Sequence, residues 1–418
     1  MSIAGIENAP ARFAPAHAQN GIRLEGDRPR LLLIDSQADT VIKFRSAFLK
    51  ALVHKGYAVT VAAPDFNPDA VNQLSEMGVR FRRIPFRRTG MNPVENILSL
   101  YRIYAAIKSL RPDIFIGVSV KPSSLGTIAA RLAGVPCRFA LLTGLGYAFA
   151  EGREIKRRVA NFAVRLLCKL ALGHTKATIF QNDDDKLLFT ESGLLDEAKA
   201  ARVNGSGVDL ARFTPAPFPS TPFTFLMISR LLEDKGVREY VAAARIIKST
   251  HPQARFLLVG ARDQNPTAVT EAELKKWVAD GVIEYGGVVA DVRPAIAACH
   301  VFVLPTFYRE GVPKAILEAL AMGRPVITTR TPGCRETVVD GANGILVPTR
   351  DVNALVAAEL QMMSSAHLLA YGSESRSLAE RKFDEKIVIA QLLAILDDNK
   401  QSDLLPSIEQ AHTVALPV

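Results

Sequence analysis

Short apolar runs alternate with longer segments of helical hydrophobic spacing along almost the whole chain. In the first half, the short runs are RLLLID (30–35), AVTVAA (58–63), DIFIGV (113–118) and RFALLT (138–143). Their lengths and their β-branched or leucine content predict strands, and the segments between them predict helices. Strands that alternate with helices indicate a parallel sheet covered by helices on both faces.

A proline-dense stretch interrupts this pattern, which then starts again. Its second series of predicted strands is FTFLMIS (223–229), RFLLVG (255–260), VIEYGG (282–287), HVFVLP (300–305) and PVITT (325–329). The sequence therefore predicts an α/β protein with two Rossmann-like domains facing across a cleft, where ligands bind beyond the carboxyl ends of the strands. The predicted division is a disordered lead (1–28), an N-terminal domain (29–213), a Pro-rich linker (214–223), a C-terminal domain (224–385) and a C-terminal helix with a loose tail (386–418).

The composition narrows the class of protein. The 418 residues are 48% hydrophobic and 22% charged, as in soluble globular proteins, which excludes a wholly disordered chain, a collagen-like fibre and a disulfide scaffold. No run approaches the ~20 apolar residues of a membrane span, and residues 1–28 lack the apolar core of a signal peptide. The four cysteines are far apart, which favours a reduced, cytoplasmic protein.

The net charge of +9 is unevenly distributed: residues 1–200 carry +10 and the remainder −1. Part of this excess lies in a predicted amphipathic helix near residues 153–172, where cationic side chains accompany an apolar stripe. The stripe comprises Ile155, Val159, Phe162, Leu166 and Leu170. One interpretation is a surface for anionic lipid headgroups or phosphorylated acceptors. The other is a solvated helix whose apolar stripe is core. Nucleic acid is disfavoured, because no recognition motif or aromatic stacking platform is present.

The segment 306–348 is the most informative part of the sequence. A strand ends at Pro305, a loop follows with Glu310 and Gly311, and a helix is predicted to begin near Pro313. Glu318 then lies one to two turns into that helix. Ionised carboxylates accept hydrogen bonds from vicinal hydroxyl groups, so the two glutamates suit a ribose or a sugar. Two glutamates eight residues apart are also typical of a solvated helix edge.

Phosphate groups have candidate ligands nearby. The helix start leaves the amides around Lys314 and Ala315 as donors, which favour an anion. In SRLLEDKG (229–236), Arg230 offers a guanidinium fork and Lys235 a point charge. Together these groups could clamp a diphosphate and the negative charge that develops as it leaves.

These stretches resemble the retaining glycosyltransferases of family 4, which share the two-domain GT-B architecture and an E-x7-E signature. The resemblance rests on SRLLEDKG, LPTFYREGVPKAILEALAMGRPVITT and GCRETVVDGANGILVP, with weaker matches at KPSSLGTIAARLAGVP (121–136), TGLGYAF (143–149), FQNDDDKLLF (180–189) and GSGVDLARF (205–213). The chain is most similar to the subgroup that builds bacterial capsule, exopolysaccharide or lipid-carrier-linked glycans.

The resemblance implies a hexosyltransferase that needs neither metal nor cofactor. It would move a HexNAc or hexose from a nucleotide diphosphate donor, UDP-linked, to a polyprenyl-diphosphate-linked sugar. The enzyme would be cytoplasmic and peripheral on the inner face of the cell membrane, on an anionic surface. Alternatives are a soluble sugar or sugar-phosphate acceptor, a non-catalytic scaffold of a glycan assembly complex, and a sugar-nucleotide epimerase of similar build.

Residue by residue, the resemblance assigns the nucleotide sugar to the second domain and the acceptor to the first. The implied catalytic residues are Glu310, Arg230 and Lys235; the implied nucleotide-sugar ligands are these three with Gly311, Lys314, Ala315 and Glu318; the acceptor-side candidates are Lys121, Thr143 and Gly144. Many relatives have His-Gly where this chain has Thr143-Gly144, so a histidine base is unavailable there. Asp183, Asp184 and Asp185 resemble a D-x-D metal motif, but their place at a predicted helix start favours capping.

Overall fold

A computed structural model of the chain describes residues 28–87, 92–149, 155–220, 222–263, 265 and 267–404. These residues form two all-parallel sheets, each covered by helices. The prediction of two Rossmann-like α/β domains is confirmed. The predicted disordered lead falls outside the described residues except at Arg28, as does the last part of the predicted tail (405–418), and the domain boundaries remain predictions.

The first sheet has seven strands in the order β3-β2-β1-β4-β5-β6-β7. Their bounds are β1 (Arg30–Ile34), β2 (Ala58–Ala63), β3 (Arg80–Arg83), β4 (Ile114–Val118), β5 (Cys137–Leu142), β6 (Ala177–Phe180) and β7 (Ala200–Arg202). The order reverses between β1 and β4, which pair with Leu31 opposite Ile114. Such a reversal opens a crevice at the carboxyl ends of the strands.

The second sheet has six strands in the order β10-β9-β8-β11-β12-β13. Their bounds are β8 (Thr224–Ile228), β9 (Arg255–Val259), β10 (Glu284–Tyr285), β11 (Val301–Leu304), β12 (Val326–Thr329) and β13 (Gly344–Val347). Its reversal lies between β8 and β11.

The helices connect successive strands. Those of the first domain are α1 (Ala38–His54), α2 (Pro68–Glu76), α3 (Pro93–Leu110), α4 (Val120–Leu132), α5 (Ile155–Leu172) and α6 (Asp183–Glu191). Those that follow are α7 (Val237–Thr250), α8 (Glu271–Ala279), α9 (Arg293–Ala297), α10 (Lys314–Ala321), α11 (Val352–Met363), α12 (Leu368–Leu378) and α13 (Glu385–Leu404). Among the described helices, none combines the length and apolar character needed to span a bilayer.

The segment predicted as a Pro-rich linker is anchored to the second domain by a buried arginine. The Arg324 guanidinium donates hydrogen bonds of 2.9 Å to the carbonyls of Ala216 and Pro217 in the linker, and others to the carbonyls of Ile296 and Ala297. Four carbonyl acceptors satisfy a charge that burial would otherwise penalise. The linker is thus held against the second domain along its first half.

The chain returns to the first domain at its C-terminal helix. A π-helical turn at Ala379–Phe383 precedes α13. The α13 side chains Val388, Leu392 and Leu396 are buried in the core that also contains the first-domain residues Leu31 and Phe48. The core of the first sheet is therefore completed by residues that follow the second domain in sequence.

Two features differ from the sequence interpretation. Strands β3, β6, β7 and β13 were not predicted, since the RFRR of β3 reads as a basic cluster and the others are only three or four residues long. The interpretation of the α5 apolar stripe as core is wrong for its four described side chains. Val159, Phe162, Leu166 and Leu170 are all exposed, while the Ile155 side chain lies outside the described part.

Candidate functional site

The loop that follows β11 and the turn that follows β8 meet at the carboxyl end of the second sheet. A 3₁₀ turn at Glu233–Lys235 places the Asp234 carbonyl where it accepts hydrogen bonds from the Phe307 and Tyr308 amides, at 2.9 and 3.0 Å. The Thr306 hydroxyl donates to the same carbonyl at 2.9 Å. The two segments are thereby fixed to each other, with Lys235 on one and the predicted Glu310 on the other.

Lys235 and Glu310 form an ion pair, although they are 75 residues apart. Their side chains are 12% and 14% exposed, so solvent screens the pair weakly. The Lys235 ammonium also lies 4.7 Å from the centre of the Tyr308 ring. This geometry holds a cation and a carboxylate together at the carboxyl end of the second sheet, where one can attract phosphate and the other can accept hydrogen bonds from hydroxyl groups.

Arg230 lies between the end of β8 and the 3₁₀ turn at Glu233–Lys235, and its side chain is not buried. Its Nη1 donates to Asp263 at 2.9 Å, and its side chain is 41% exposed. A guanidinium held by one carboxylate on an accessible surface retains donors that an incoming phosphate can use.

The start of α10 presents the predicted phosphate amides. Its N-cap residue is Pro313, which provides no side-chain acceptor for the first turn. The Lys314 side chain turns toward the first domain, where Nζ donates to the Gly207 carbonyl at 2.6 Å. Burial lowers the Lys314 pKa, and the negative charge of Glu318 opposes that shift.

Glu318, the second glutamate of the E-x7-E signature, is on the fifth position of α10. Burial raises its pKa to about 7, against the opposing effects of the Lys314, Arg212 and Lys43 charges. Lys43 belongs to α1 of the first domain, so charges from both domains surround this carboxyl group. It is poised to change its ionisation near neutral pH.

The acceptor-side candidates Thr143 and Gly144 directly adjoin the loop that contains Glu310 and Gly311. The Thr143 hydroxyl lies 3.3 Å from the Ser119 hydroxyl, and Gly144 has a φ of 116°. A Cβ on Gly144 would collide with the Gly311 amide, and one on Gly333 would collide with the Gly311 carbonyl. Gly144 and Gly311 therefore let the two domains approach at this point, while Gly333 packs closely on Gly311 within the second domain. Lys121 is on the first turn of α4, and burial lowers its pKa.

Two of the three aspartates of the D-x-D-like run make inter-domain contacts. The Asp185 carboxylate accepts a 2.6 Å bond from Arg309, and Asp184 pairs with Arg335. The cap of α6 is Asn182, whose side chain accepts from the Asp185 amide, rather than an aspartate. We expected aspartate capping here, and the preceding asparagine performs it.

Sequence reasoning missed three residues at this junction. Asn182 donates from Nδ2 to the carbonyls of Glu310 and Gly311, at 3.3 and 3.2 Å. Asp234 has a buried Oδ1 without a hydrogen-bond partner, and burial raises its pKa. Thr306 anchors the loop. The available signal was position: Asp234 lies inside SRLLEDKG, and Thr306 directly follows a predicted strand.

Comparison with known proteins decides the family. A model described as "Glycosyl transferases group 1" matches residues 222–365, and a "Glycosyl transferase 4-like domain" matches residues 44–204. An Escherichia coli UDP-Gal:alpha-D-GlcNAc-diphosphoundecaprenol alpha-1,3-galactosyltransferase is 30% identical over 297 residues, which cover 67% of this chain and 74% of that protein. The chain belongs to the group 1 glycosyltransferases. It is therefore an enzyme of the class that the sequence motifs predicted.

A relative that matches this glycosyltransferase over more of its length comes from Campylobacter jejuni. It is an N,N'-diacetylbacillosaminyl-diphospho-undecaprenol alpha-1,3-N-acetylgalactosaminyltransferase, 26% identical over 381 residues, which cover 88% of this chain and 98% of that protein.

Solved structures confirm the GT-B fold of this glycosyltransferase. Sucrose-phosphate synthase from Thermosynechococcus elongatus superposes with a TM-score of 0.74 at 19% identity, covering 90% of this chain and all of that one. Anabaena Alr3699/HepE in complex with UDP gives a TM-score of 0.69 at 17% identity, covering 88% of this chain and all of that one. At these identities the likeness concerns the fold alone.

Proposed function

We propose that the enzyme transfers a sugar from a UDP-linked donor to a polyprenyl-diphosphate-linked sugar in bacterial surface-glycan assembly, with retention of the anomeric configuration. Two of its relatives are named for transfer to undecaprenol-diphosphate-linked sugars, and one for a UDP-sugar donor. The observation that carries the proposal within this chain is the weakly screened Lys235–Glu310 pair between the two segments of the motif.

In the proposed role, Lys235 and Arg230 bind the diphosphate, the Lys314 and Ala315 amides complete its cradle, and Gly311 adjoins it. As the bond from the sugar to the β-phosphate breaks, the electron pair passes to the phosphate oxygen. The two cations stabilise that charge where it develops. The acceptor hydroxyl attacks the same face of the sugar, and its proton passes to the departing diphosphate.

The two glutamates bind hydroxyl groups. Glu310, held by Lys235, accepts hydrogen bonds from the donor sugar, and Glu318 accepts them from the ribose diol. Thr143 and Lys121 contact the acceptor from the first domain. The short path from Thr143 through Gly311 to Glu310 supports a reacting position between the domains.

The test is incubation of the purified protein with individual radiolabelled UDP-sugars, with and without membranes rich in polyprenyl carrier. We expect label in the lipid extract only with membranes, and for one donor. Glu318→Ala should abolish or strongly reduce this transfer while the protein remains folded and unfolds cooperatively. Glu271→Ala, an exposed glutamate of α8 in the same domain, is the matched control. Normal turnover by Glu318→Ala would overturn the assignment of the site.

The fraction in which the label appears distinguishes a lipid-linked acceptor from a soluble one. Label that appears only in water-soluble sugar would retain the transferase and discard the lipid-linked acceptor. Nucleotide binding without transfer to either kind of acceptor would indicate the non-catalytic scaffold instead.

A further inference from the structure

We propose that the outer faces of α3 and α5 form a docking surface for an anionic lipid bilayer. This α3–α5 face is defined by exposed apolar side chains on two helices of the first domain. They are Val94, Ile97, Leu98 and Tyr101 of α3, and Val159, Phe162, Leu166 and Leu170 of α5. The proposal rests on the proposed function in one respect, because a lipid-linked acceptor is the reason why a membrane would be near. The exposed side chains themselves indicate how the membrane would be bound.

Helix α5 is apolar on two opposite sides. One side packs into the first domain through Cys168 and Leu172, both fully buried. Val159, Phe162 and Leu166 recur three and four residues apart, and helical geometry places them on the other side. Phe162 is 67% exposed and Val159 is 63% exposed. A helix surface that leaves such side chains in water is typical of an interface with a partner.

Helix α3 repeats the arrangement. Ile103 and Ile107 are buried against the sheet, whereas Val94 is 72% exposed and Ile97 is 68% exposed. Helix α4 lies between α3 and α5 and contacts both. Most of α4 is buried beneath its neighbours, so the exposed apolar side chains of the α3–α5 face belong to the two helices that flank it.

The charges around this surface select an anionic partner. Helices α3, α4 and α5 together contain nine Lys or Arg residues and one acidic residue, Glu95. On α5, Arg158, Arg165 and Lys169 follow one another at helical spacing beside the apolar stripe. Apolar side chains that enter the acyl boundary, with cations at headgroup level, are the arrangement of interfacial membrane helices.

The same cations argue against a second copy of this chain as the occupant. A two-fold interface through the face would bring two strongly positive surfaces together, since Glu95 is the one acidic residue within the described helices α3, α4 and α5. An anionic bilayer supplies the missing charge, and lipid acyl chains supply the apolar environment.

The face adjoins the acceptor side of the cleft. Glu95, on the first turn of α3, interacts electrostatically with Lys121 on the first turn of α4. Ser119, which precedes α4, contacts Thr143, and Thr143 borders Gly311 of the donor-side loop. A bilayer on the α3–α5 face would therefore hold a lipid-anchored acceptor at the edge where the two domains meet.

The test uses the full chain with vesicles of phosphatidylglycerol and phosphatidylcholine that contain no glycolipid, in a sedimentation assay. We expect binding to the anionic vesicles that weakens strongly at about 0.5 M salt. Phe162→Asp and Ile97→Asp should each weaken it about tenfold or more, because each places a charge where an apolar side chain enters the lipid. Arg158→Glu and Lys169→Glu should each weaken vesicle binding by at least about fivefold.

Leu369→Asp is the matched control, since Leu369 is 72% exposed but lies on α12 of the second domain. It should bind vesicles as the wild type does. All these positions are exposed, so the unfolding midpoints should be unchanged. Vesicle binding by Phe162→Asp and Ile97→Asp equal to the wild type would overturn the proposal. A wild-type dimer that Phe162→Asp dissociates, without vesicle binding, would overturn it in favour of a second copy.

The docking surface and the proposed function fail separately. If Phe162→Asp abolishes vesicle binding but the wild type transfers no sugar, the docking surface is supported and the proposed function is contradicted. If the wild type transfers sugar but none of the substitutions changes vesicle binding, the docking surface is contradicted and the proposed function is supported. Because Phe162 lies outside the cleft residues, Phe162→Asp should also retain transfer to a water-soluble, short-chain analogue of the acceptor.

Discussion

The two domains have the same fold but satisfy their charges differently. In the second domain, arginines on the surface are paired with acids: Arg238 with Glu273, Arg255 with Glu284, and Arg293 with Asp291. In the first domain, helices α3, α4 and α5 carry nine cations and a single acid. The second half of the chain is nearly neutral as a result, whereas residues 1–200 carry +10.

Their apolar surfaces differ in the same way. The described exposed apolar residues of the second domain, such as Ile246, Val278 and Leu369, are scattered singly over separate helices. Those of the first domain are concentrated on α3 and α5. One large core supports the second domain, and several smaller clusters support the first. The comparison teaches that the second domain pairs its charges and buries its apolar surface internally, while the first domain leaves charge and apolar surface exposed.

The largest effect should come from removing one member of the central pair. Lys235→Ala removes the proposed diphosphate ligand and leaves the Glu310 carboxylate weakly screened and without its ion-pair partner. We expect transfer to fall by about a thousandfold. The measurement is single-turnover transfer at saturating donor. Lys276→Ala, an exposed lysine of α8, should transfer at the wild-type rate, and a Lys235→Ala rate within tenfold of it would contradict this role.

A stability effect of about 3 kcal/mol should follow Arg324→Ala, because two carbonyls of the linker and two of helix α9 lose their buried donor. Urea unfolding with a constant slope checks this value. Arg158→Ala on the exposed side of α5 should change the free energy of unfolding by less than about 0.5 kcal/mol. Equal losses of unfolding free energy in the two variants would contradict the difference between Arg324, which has internal partners, and Arg158, which faces outward.

Glu318→Gln should reveal the pH dependence of the donor side. The folded-state pKa of about 7 is raised above the ordinary value of 4.5, so the carboxyl contributes stability that is full below pH 4.5 and lost as the pH rises through 7. Above pH 8 the variant should be more stable than the wild type by about 2 kcal/mol, with partial exposure reducing the effect. Equal stability of the two proteins from pH 5 to 8.5 would contradict the raised pKa.

The same variant also tests donor binding. An ionised Glu318 accepts hydroxyl hydrogen bonds better than a protonated one, so the wild-type KM for the donor should rise as the pH falls below about 7. Glu318→Gln should have a higher KM that stays constant over that range. A KM profile of the variant that still follows the wild type would assign the ionisation to another group.

The smallest effect concerns a surface pair of the second domain. Arg238 and the capping interaction with Thr270 lower the pKa of Glu273 to about 2. Glu273→Gln should cost only about 0.5 kcal/mol at pH 7, because the pair is partly exposed. This cost should shrink as the pH falls below 4.5 and vanish near pH 2. A loss above 2 kcal/mol in urea unfolding at pH 7 would show that the surface pairs contribute more than their exposure indicates.

Much of the fold follows from local pattern. Strands such as β1 and β8 and the helix that begins after Pro313 were predicted because their periodicity and flanking residues suffice. The strand β3 was missed because an edge strand with four exposed residues has no apolar alternation. The stripe of α5 was visible, but periodicity does not tell which of two apolar sides faces the core.

The site was predictable by residue type and not by contact. Spacing indicated Glu310, Glu318, Arg230 and Lys235, and their roles stay predictions. That Lys235 pairs with Glu310 could not be deduced from spacing, since the two come from different strand ends of one sheet. The contact of Asn182 with Gly311 joins two domains, and nothing local in either segment specifies it.

The position of α13 has a consequence for how the protein is made. The core around Leu31 and Phe48 is incomplete until α13 has been synthesised. Val388, Leu392 and Leu396 of that helix are translated only after the entire second domain. The nascent first domain therefore exposes an apolar groove throughout that interval, as a ready substrate for chaperones. The first domain therefore cannot complete its core until the second domain has been translated.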